Sequence, residues 1–196
     1  DIAVDRTLSM KEHEVEGISY EPYGKIHNLP PNAMQQPGIE MIAKVAGLCN
    51  EAKLEIREGR VDHIGEPTEA ALKVLVEKLG NSESPSSSSI SMEEKIQQHG
   101  NYWSSKYDVL SMLEFSRDRK SMSVLARSKD IRKSHRNQLF VKGAAEMVLA
   151  RCSKLMMTDG RVVDITENMR QTLAAKLVDM AGKPLRCLAL AFKPGD

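Results

Sequence analysis

The feature that most constrains the fold is a pair of strand-like runs separated by a very short charged segment. "DVLSMLEF" (108–115) and "KSMSVLAR" (120–127) flank the four residues 116–119. Two such runs with so short a connection predict an antiparallel β-hairpin. Its tip carries the string "FSRDRKSM" (115–122), which places one phenylalanine ahead of a cluster of opposite charges in a chain that is only 4% aromatic.

Three stretches show the apolar spacing of helices. "IEMIAKVAGLC" (39–49) places its apolar residues on one stripe, which predicts a helix packed on a core. "TEAALKVLVEKLG" (68–80) follows Pro67, which suits a first helical turn, and ends at Gly80, a predicted C′ glycine. "TENMRQTLAAKLVDMAG" (166–182) predicts a helix with Thr166 as its N-cap and Gly182 at its end.

The remaining patterns complete an α+β prediction, an antiparallel β-sheet flanked by helices in a single domain over 1–196. "HEVEGISYEPYGKI" (13–26), with Gly17, Pro22 and Gly24, predicts a strand leading into turns. Further strands are expected in a hairpin-like stretch (55–65), in "QLFVKG" (138–143) and in "LRCLALAF" (185–192), with a short helix in "AAEMVLARC" (144–152). Two polar stretches, the serine-rich 81–94 and the basic 131–137, are expected to be flexible surface loops.

Composition excludes several classes of function. The formal net charge is +1, so no chain-wide field attracts nucleic acid or anionic lipid, and any anion site must be local. The longest apolar run, "LALAF" (188–192), is far below the roughly 20 residues that span a bilayer, so no membrane insertion is expected. Three scattered cysteines and five scattered histidines favour reduced, buried cytosolic thiols and no metal site. A start at Asp1 without an initiator methionine is interpreted as a piece of a longer protein.

The hairpin tip admits two interpretations. A short turn would bring Phe115 and Lys120 within cross-strand reach, and a ring beside an ammonium can stack on a nucleobase and meet phosphate. The alternative is that Phe115 belongs to the core and that the charges form a solvated turn. Composition alone leaves both open.

Three other stretches are ambiguous in the same way. Gly143 in "FVKGAAE" (140–146) would let the backbone approach a ligand beside Lys142, although the string is not a Walker A loop. In "GEPTEAA" (65–71), Thr68 and Glu69 are placed to read a base edge, while glutamate in a first helical turn also complements the helix dipole. Arg186, inside an apolar run, needs a carboxylate or phosphate partner if it is buried.

Taken together and in this order, "GEPTEAAL", "FSRDRKSM", "FVKGAAE" and "LRCLAL" resemble the nucleotide-binding domain of P-type ATPases. The whole "FSRDRKSM" string, with "MIAKVAGLCN" (41–50) and "VEGISYEPYGKI" (15–26), is most similar to the endoplasmic-reticulum-type calcium pumps, plant forms included. The similarity runs from about His13 to the end, apart from the serine-rich and "RKSHRN" loops. Two departures are Ala145, where many relatives have proline, and Pro67, where animal pumps commonly have alanine.

The resemblance implies a set of roles for the pocket. Phe115 would stack on adenine, Glu69 would face its amino edge, Lys142 would lie at the back of the pocket, and Lys120 would lie near the base and phosphates. Arg117 and Arg186 would face the phosphate chain. The cavity lining implied by the resemblance is Thr68, Glu66, Met122, Gly143, Ala144 and Leu188.

The resemblance also implies a function that these 196 residues perform only in part. The family's phosphorylated-aspartate motif "DKTGTLT" and its "TGE" loop do not occur in the sequence, so no catalytic residue is expected here. The implied domain is monomeric and binds ATP or ADP, with Mg²⁺ accompanying the nucleotide in the intact pump. It would present the γ-phosphate to an aspartate of the phosphorylation domain, beside the actuator domain, on the cytosolic side of an endoplasmic reticulum membrane protein. Two alternatives are a pump of another ion specificity and a non-catalytic interaction module whose serine-rich loop is phosphorylated.

Overall fold

A computed structural model of the chain describes residues 8–81, 91–132, 136–183 and 185–195. One short 3-10 turn, Ala33–Gln35, precedes the first helix. The helices are α1 (Pro37–Leu48), α2 (Pro67–Asn81), α3 (Met92–Lys95), α4 (Gln98–Lys106), α5 (Ala145–Arg151) and α6 (Glu167–Ala181). The strands are β1 (Lys53–Arg57), β2 (Arg60–Ile64), β3 (Tyr107–Ser116), β4 (Ser121–Ser128), β5 (Asn137–Ala144), β6 (Lys154–Met156), β7 (Val162–Asp164) and β8 (Leu188–Pro194). The α+β prediction is confirmed.

The main sheet is antiparallel throughout, with strand order β3-β4-β5-β8. The predicted hairpin forms its first two strands and closes at the pair Ser116↔Ser121, which leaves Arg117 to Lys120 as the turn. Two further hairpins, β1-β2 and β6-β7, lie outside this sheet. The expected hairpin over 55–65 is therefore confirmed as β1-β2.

One face of the main sheet and three helices form the core. Met122, Val124 and Phe140 alternate onto this face and are fully buried. Helix α1 packs on β5 and β8 and also contacts α2 and α4. Small residues make the helix contacts close, since a Cβ at Gly47 would lie 3.4 Å from the ring of Trp103 in α4. The stripe predicted for 39–49 is thus the core face of α1.

Helix ends agree with their capping signals except at Gly80. Thr166 caps α6 as predicted, because its hydroxyl accepts a hydrogen bond from Met169 N at 3.2 Å. Gly80 instead lies inside α2, which continues to Asn81, so the prediction of a C′ glycine is wrong. A Cβ at Gly80 would lie 2.1 Å from the imidazole of His99, so the residue is small for packing.

Both predicted loops are shorter than expected where the structure describes them. Asn81 is the last residue of α2, and Ser91 caps the short helix α3 in a reciprocal capping box with Glu94. Asn137 is the first residue of β5. The rest of the two loop predictions falls on 82–90 and 133–135, outside the described residues.

Two smaller expectations need correction. The turns predicted within 13–26 are present, since Gly17 and Gly24 adopt positive φ angles, but the strand predicted to lead into them is reduced to the single bridge Val15↔Ile26. The three cysteines are free, but only Cys49 is buried. No helix in the described part of the chain is long and apolar enough to cross a bilayer.

Candidate functional site

A buried ion pair joins the helical layer to the sheet. Lys142, near the end of β5, places its Nζ 2.6 Å from Oε1 of Glu69 in the first turn of α2. The two side chains are 7% and 13% exposed. Each charged residue lies near the end of its element. Pro67 starts α2 two residues before Glu69, and Gly143 follows Lys142 near the end of β5. The structure therefore brings together two of the residues predicted for the nucleotide pocket, Glu69 at the base edge and Lys142 at the back.

The Glu69 carboxylate is held by the segment between α1 and β1. Its Oε2 accepts a hydrogen bond from the backbone N–H of Glu51 at 2.9 Å. The carboxamide of Asn50 donates to the backbone carbonyl of Glu69 at 2.9 Å. Sequence reasoning missed both residues, although asparagine just after a helix is a recognisable C-terminal signal.

The pair retains unused hydrogen-bonding capacity. Lys142 Nζ lies at ion-pair distance from Glu69, yet it makes no hydrogen bond of acceptable geometry to any described residue. An ammonium has three donors, and a carboxylate has about four lone-pair sites. Buried donors without partners are costly, so this site favours a ligand that accepts from Lys142 and donates to Glu69.

Phe115 lies on the same side of the sheet and is exposed. The register passes from Leu113↔Ser123 to Ser116↔Ser121, so Glu114 and Phe115 together stand opposite Met122 in a β-bulge. Phe115 is 59% exposed, which excludes the alternative that it belongs to the core. Met122 pairs with Lys142, so Phe115 and Lys142 are two strand spacings apart, about 10 Å.

The turn beside Phe115 is tightly tied to its neighbours. Lys120 adopts φ 47°, and its backbone N–H donates to the Ser116 carbonyl at 2.7 Å. Lys120 therefore lies in the turn and is not the cross-strand neighbour of Phe115, which stands opposite Met122 in the bulge. Arg119 and Arg151 brace the turn, since Arg119 Nε donates to Ser116 Oγ and Arg151 Nη2 donates to the Arg119 carbonyl.

The two basic groups predicted to face phosphate differ in their contacts. Arg117 is exposed in the turn, and its side chain makes no hydrogen bond or ion pair within the described ranges. Arg186 is exposed and precedes β8, so its interpretation as a buried strand arginine is wrong. Its Nη1 donates to Thr68 Oγ1 at 2.8 Å, which links the approach to β8 with the first turn of α2.

The remaining predicted lining residues occupy different depths. Glu66 is exposed, and its carbonyl accepts the first hydrogen bonds of α2. Met122 is fully buried beneath the sheet face. Gly143 is closely packed, because a Cβ there would lie 2.4 Å from the Lys120 carbonyl oxygen. Its backbone therefore lies close to the end of the hairpin turn. Ala144 pairs with Leu188, and of the predicted residues only Leu188 lines a separate apolar cavity of about 540 Å³ beside α1, α5 and α6.

Comparison with known proteins decides the family. The family described as "P-type ATPase, cytoplasmic domain N" matches residues 38–196. The chain belongs to this family. Calcium-transporting ATPase 4, endoplasmic reticulum-type, of Arabidopsis thaliana is 37% identical over 194 residues, covering 97% of this chain and 18% of the relative. The endoplasmic reticulum calcium ATPase srcA of Aspergillus fumigatus is 35% identical, with 93% and 19% covered. The probable calcium-transporting ATPase of Trypanosoma brucei brucei is 36% identical, with 82% and 16% covered.

The resemblance inferred from the motifs is therefore confirmed at the level of the family. The N domain spans less than a fifth of the length of these relatives. Its match includes all the elements that carry the ion pair, the hairpin tip and Arg186.

Burial perturbs the titratable groups behind the ion pair. The pKa of the Cys49 thiol is raised to about 11 by burial, although nearby Lys142 opposes this shift. The pKa of Lys73 is lowered by burial, and its ammonium donates to the Gly47 carbonyl at 2.9 Å. Cys49 in the N domain is therefore a protonated packing residue at neutral pH, and the Glu69–Lys142 pair is its polar neighbour.

Proposed function

We propose that this N domain binds the adenosine of ATP between the Phe115 ring and the Glu69–Lys142 pair. The observation that carries the proposal is the buried Lys142 ammonium, which has unpaired donors beside a carboxylate with free lone pairs. An adenine ring supplies both complements, an amino group that donates and ring nitrogens that accept. Phe115, exposed on β3 two strands from Lys142, would supply the stacking face.

The phosphates would lie toward the basic hairpin turn. Arg117 is unpaired within the described part of the chain, and Lys120 is exposed beside it. Arg186 approaches from β8 and already meets the α2 first turn through Thr68. Because the net charge of the chain is only +1, the attraction of the phosphates would come from these basic side chains and not from the chain as a whole. Further lining roles are proposed for Glu66, Met122, Gly143, Ala144 and Leu188.

The domain would serve as the part of an endoplasmic-reticulum-type calcium-transporting ATPase that brings ATP to the phosphorylation domain. Two of the relatives are named as endoplasmic reticulum calcium ATPases and the third as a probable calcium-transporting ATPase, and each is about five or six times as long as the matched segment. In the intact pump it would present the γ-phosphate to an aspartate of the phosphorylation domain, with the actuator domain as its other neighbour. It would lie on the cytosolic side of the membrane.

Magnesium would accompany the nucleotide in the intact pump. No group of three or more metal-ligating side chains lies within the described ranges. Magnesium commonly binds through substrate phosphates and water with only one or two carboxylates, which the neighbouring domains would supply.

An NMR titration of the isolated chain with ATP, ADP and GTP tests the proposal. We expect ATP to bind with a Kd of about 0.1–1 mM, or roughly −4 to −5.5 kcal/mol, which is weak enough to release ADP. Amide shifts should concentrate at Phe115, Lys142 and Glu69, and ATP should bind more tightly than GTP. Shifts confined to residues far from these three, or equal affinity for ATP and GTP, would contradict the proposed site.

A further inference from the structure

We propose that Asn50 is a positioning residue for base recognition, whose carboxamide sets where the Glu69 carboxylate meets the purine and so sets the preference for adenine over guanine. The inference rests on the proposed function, because it assigns a specificity role within that same site. It concerns a residue that contacts neither the sheet nor the hairpin tip through any of its side-chain hydrogen bonds.

The Asn50 carboxamide links three segments with all of its donor capacity. Its Nδ2 donates to the Ala46 carbonyl in the last turn of α1 at 3.0 Å and to the Glu69 carbonyl in α2 at 2.9 Å. Its Oδ1 accepts from Ala52 N at 2.9 Å. Asn50 is only 8% exposed, so water cannot readily replace these bonds. No other amino acid of similar volume supplies two donors and an acceptor in this plane.

The same segment also holds the Glu69 side chain. Glu51 follows Asn50 directly, and its backbone N–H donates to Glu69 Oε2 at 2.9 Å. Asn50 therefore holds the Glu69 backbone, while the next peptide holds the far oxygen of its carboxylate. The other oxygen meets Lys142 at 2.6 Å. Without the Asn50 side chain, Lys142 would attract a Glu69 carboxylate whose other oxygen is no longer held firmly by the Glu51 N–H.

Carboxylate position matters more for the choice of base than for affinity in general. Adenine presents an amino donor at the position where guanine presents a carbonyl acceptor. A carboxylate held at that edge accepts from adenine and repels guanine. A displaced carboxylate loses this discrimination, while stacking on Phe115, which every base satisfies, remains.

A purely structural role for Asn50 makes a different prediction. If Asn50 only ties α1 to α2, its loss would lower the free energy of unfolding and leave the ratio of ATP to GTP affinity unchanged. The ratio is a useful readout because both dissociation constants are measured on one preparation, so an unfolded fraction affects both equally.

The experiment measures ATP and GTP dissociation constants by NMR for the wild type, Asn50→Ala and Asn50→Ser. The serine hydroxyl has one donor, so it cannot replace both carboxamide donors, and it places no buried charge beside the two carbonyls, so this variant serves if the alanine variant does not fold. Asn81→Ala is the matched control, since the Asn81 carboxamide donates to the Pro22 carbonyl at 3.2 Å from the other end of α2. We expect both Asn50 variants to lose about three- to tenfold of the ATP-over-GTP preference, and the control to lose none.

A double-variant cycle identifies the route of the effect. If Asn50 acts through Glu69, adding Asn50→Ala to Glu69→Ala should not change the ATP-to-GTP ratio any further. An unchanged ratio in the Asn50 single variants, an equal loss in Asn81→Ala, or an additive loss in the double variant would overturn this inference alone. A wild type without preference for ATP would overturn the proposed function and this inference together.

Discussion

At the scale of one residue, the exposure of Phe115 excludes a core role and suits the proposed stacking on adenine. Its ring is 59% exposed, so removing it costs little packing. We expect Phe115→Ala to weaken ATP and ADP binding by about 1–3 kcal/mol, the usual contribution of one base stacked on an aromatic side chain. NMR or calorimetric titration measures the affinity, and urea unfolding measures the stability.

Leu113→Ala provides the control for that substitution. Leu113 lies on the same strand, is similarly exposed, and pairs with Ser123 on the opposite face of the sheet. Its removal should leave nucleotide affinity unchanged. A loss of about 3–5 kcal/mol of stability in Phe115→Ala, with full affinity in the folded protein, would instead indicate a core phenylalanine.

The Glu69–Lys142 pair leads to a second expectation at this scale. Removing one member leaves a buried charge without its partner, which costs about 3–5 kcal/mol, whereas replacing both can be nearly neutral. We therefore expect Lys142→Met to destabilise the fold more than the double variant Lys142→Met/Glu69→Leu. Chemical unfolding of Lys142→Met, Glu69→Leu and the double variant measures this, and a double variant as unstable as the sum of its singles would show that the charges are independent.

At the scale of elements, periodicity predicted the existence of the main helices and strands better than it predicted their ends. The hairpin and α1 followed from local patterns, because apolar spacing and short connections act along the chain. Gly80 and Arg186 were misjudged because their environment comes from distant residues, His99 and Thr68. Asn50 was missed for the same reason, since its partner Glu69 lies 19 residues away.

Gly80 leads to an expectation opposite to ordinary helix propensity. Alanine in a helix interior is normally favoured over glycine by about 0.5–1 kcal/mol. A Cβ at position 80, however, would lie 2.1 Å from the His99 ring, so Gly80→Ala should destabilise by about 1–3 kcal/mol. Thermal unfolding should show that His99→Ala recovers part of that loss when the two are combined. A stabilised single variant would show that the imidazole moves away freely.

The free energy of unfolding should depend on pH, because Glu77 of α2 is buried against α4. Glu77 is buried, and its carboxylate accepts from the backbone N–H groups of His99 and Gly100 at 2.9 and 2.8 Å. Burial raises its pKa from 4.5 to about 7, against those hydrogen bonds and the nearby charge of Lys73. Between these values the folded protein binds more protons than the unfolded chain, so stability falls as pH rises.

We therefore expect the wild type to lose about 3 kcal/mol relative to Glu77→Gln between pH 4.5 and pH 7 or just above. Urea unfolding of both proteins at pH 5 and pH 8 measures the difference. Glu93→Gln, at an exposed position in α3, is the control: the wild type should lose no stability relative to it over the same pH range. A wild type that gains stability relative to Glu77→Gln as pH rises would show that the hydrogen bonds outweigh the burial.

At the scale of the whole molecule, the candidate site is assembled from four separate parts of the chain. Glu69 comes from α2, Phe115 from β3, Lys142 from β5 and Arg186 from the approach to β8. The sheet register sets the spacing between Phe115 and Lys142, while the connection after α1 fixes Glu69. In the proposed function, a site assembled in this way would hold a nucleotide by position and charge.

This assembly leads us to expect that the isolated chain binds ATP but does not hydrolyse it, however much magnesium is supplied. Phosphoryl transfer requires an in-line nucleophile and metal ions on the transferring phosphate, because its catalysis is nearly all positioning and charge neutralisation. The candidate groups are an aromatic ring, lysines, arginines and a glutamate already paired with Lys142. The motif "DKTGTLT" does not occur in these residues. Incubation with γ-labelled ATP should therefore leave no labelled protein band and release no phosphate above background. An acyl-phosphate band, or phosphate release that disappears in Lys142→Ala, would reveal a nucleophile within this chain.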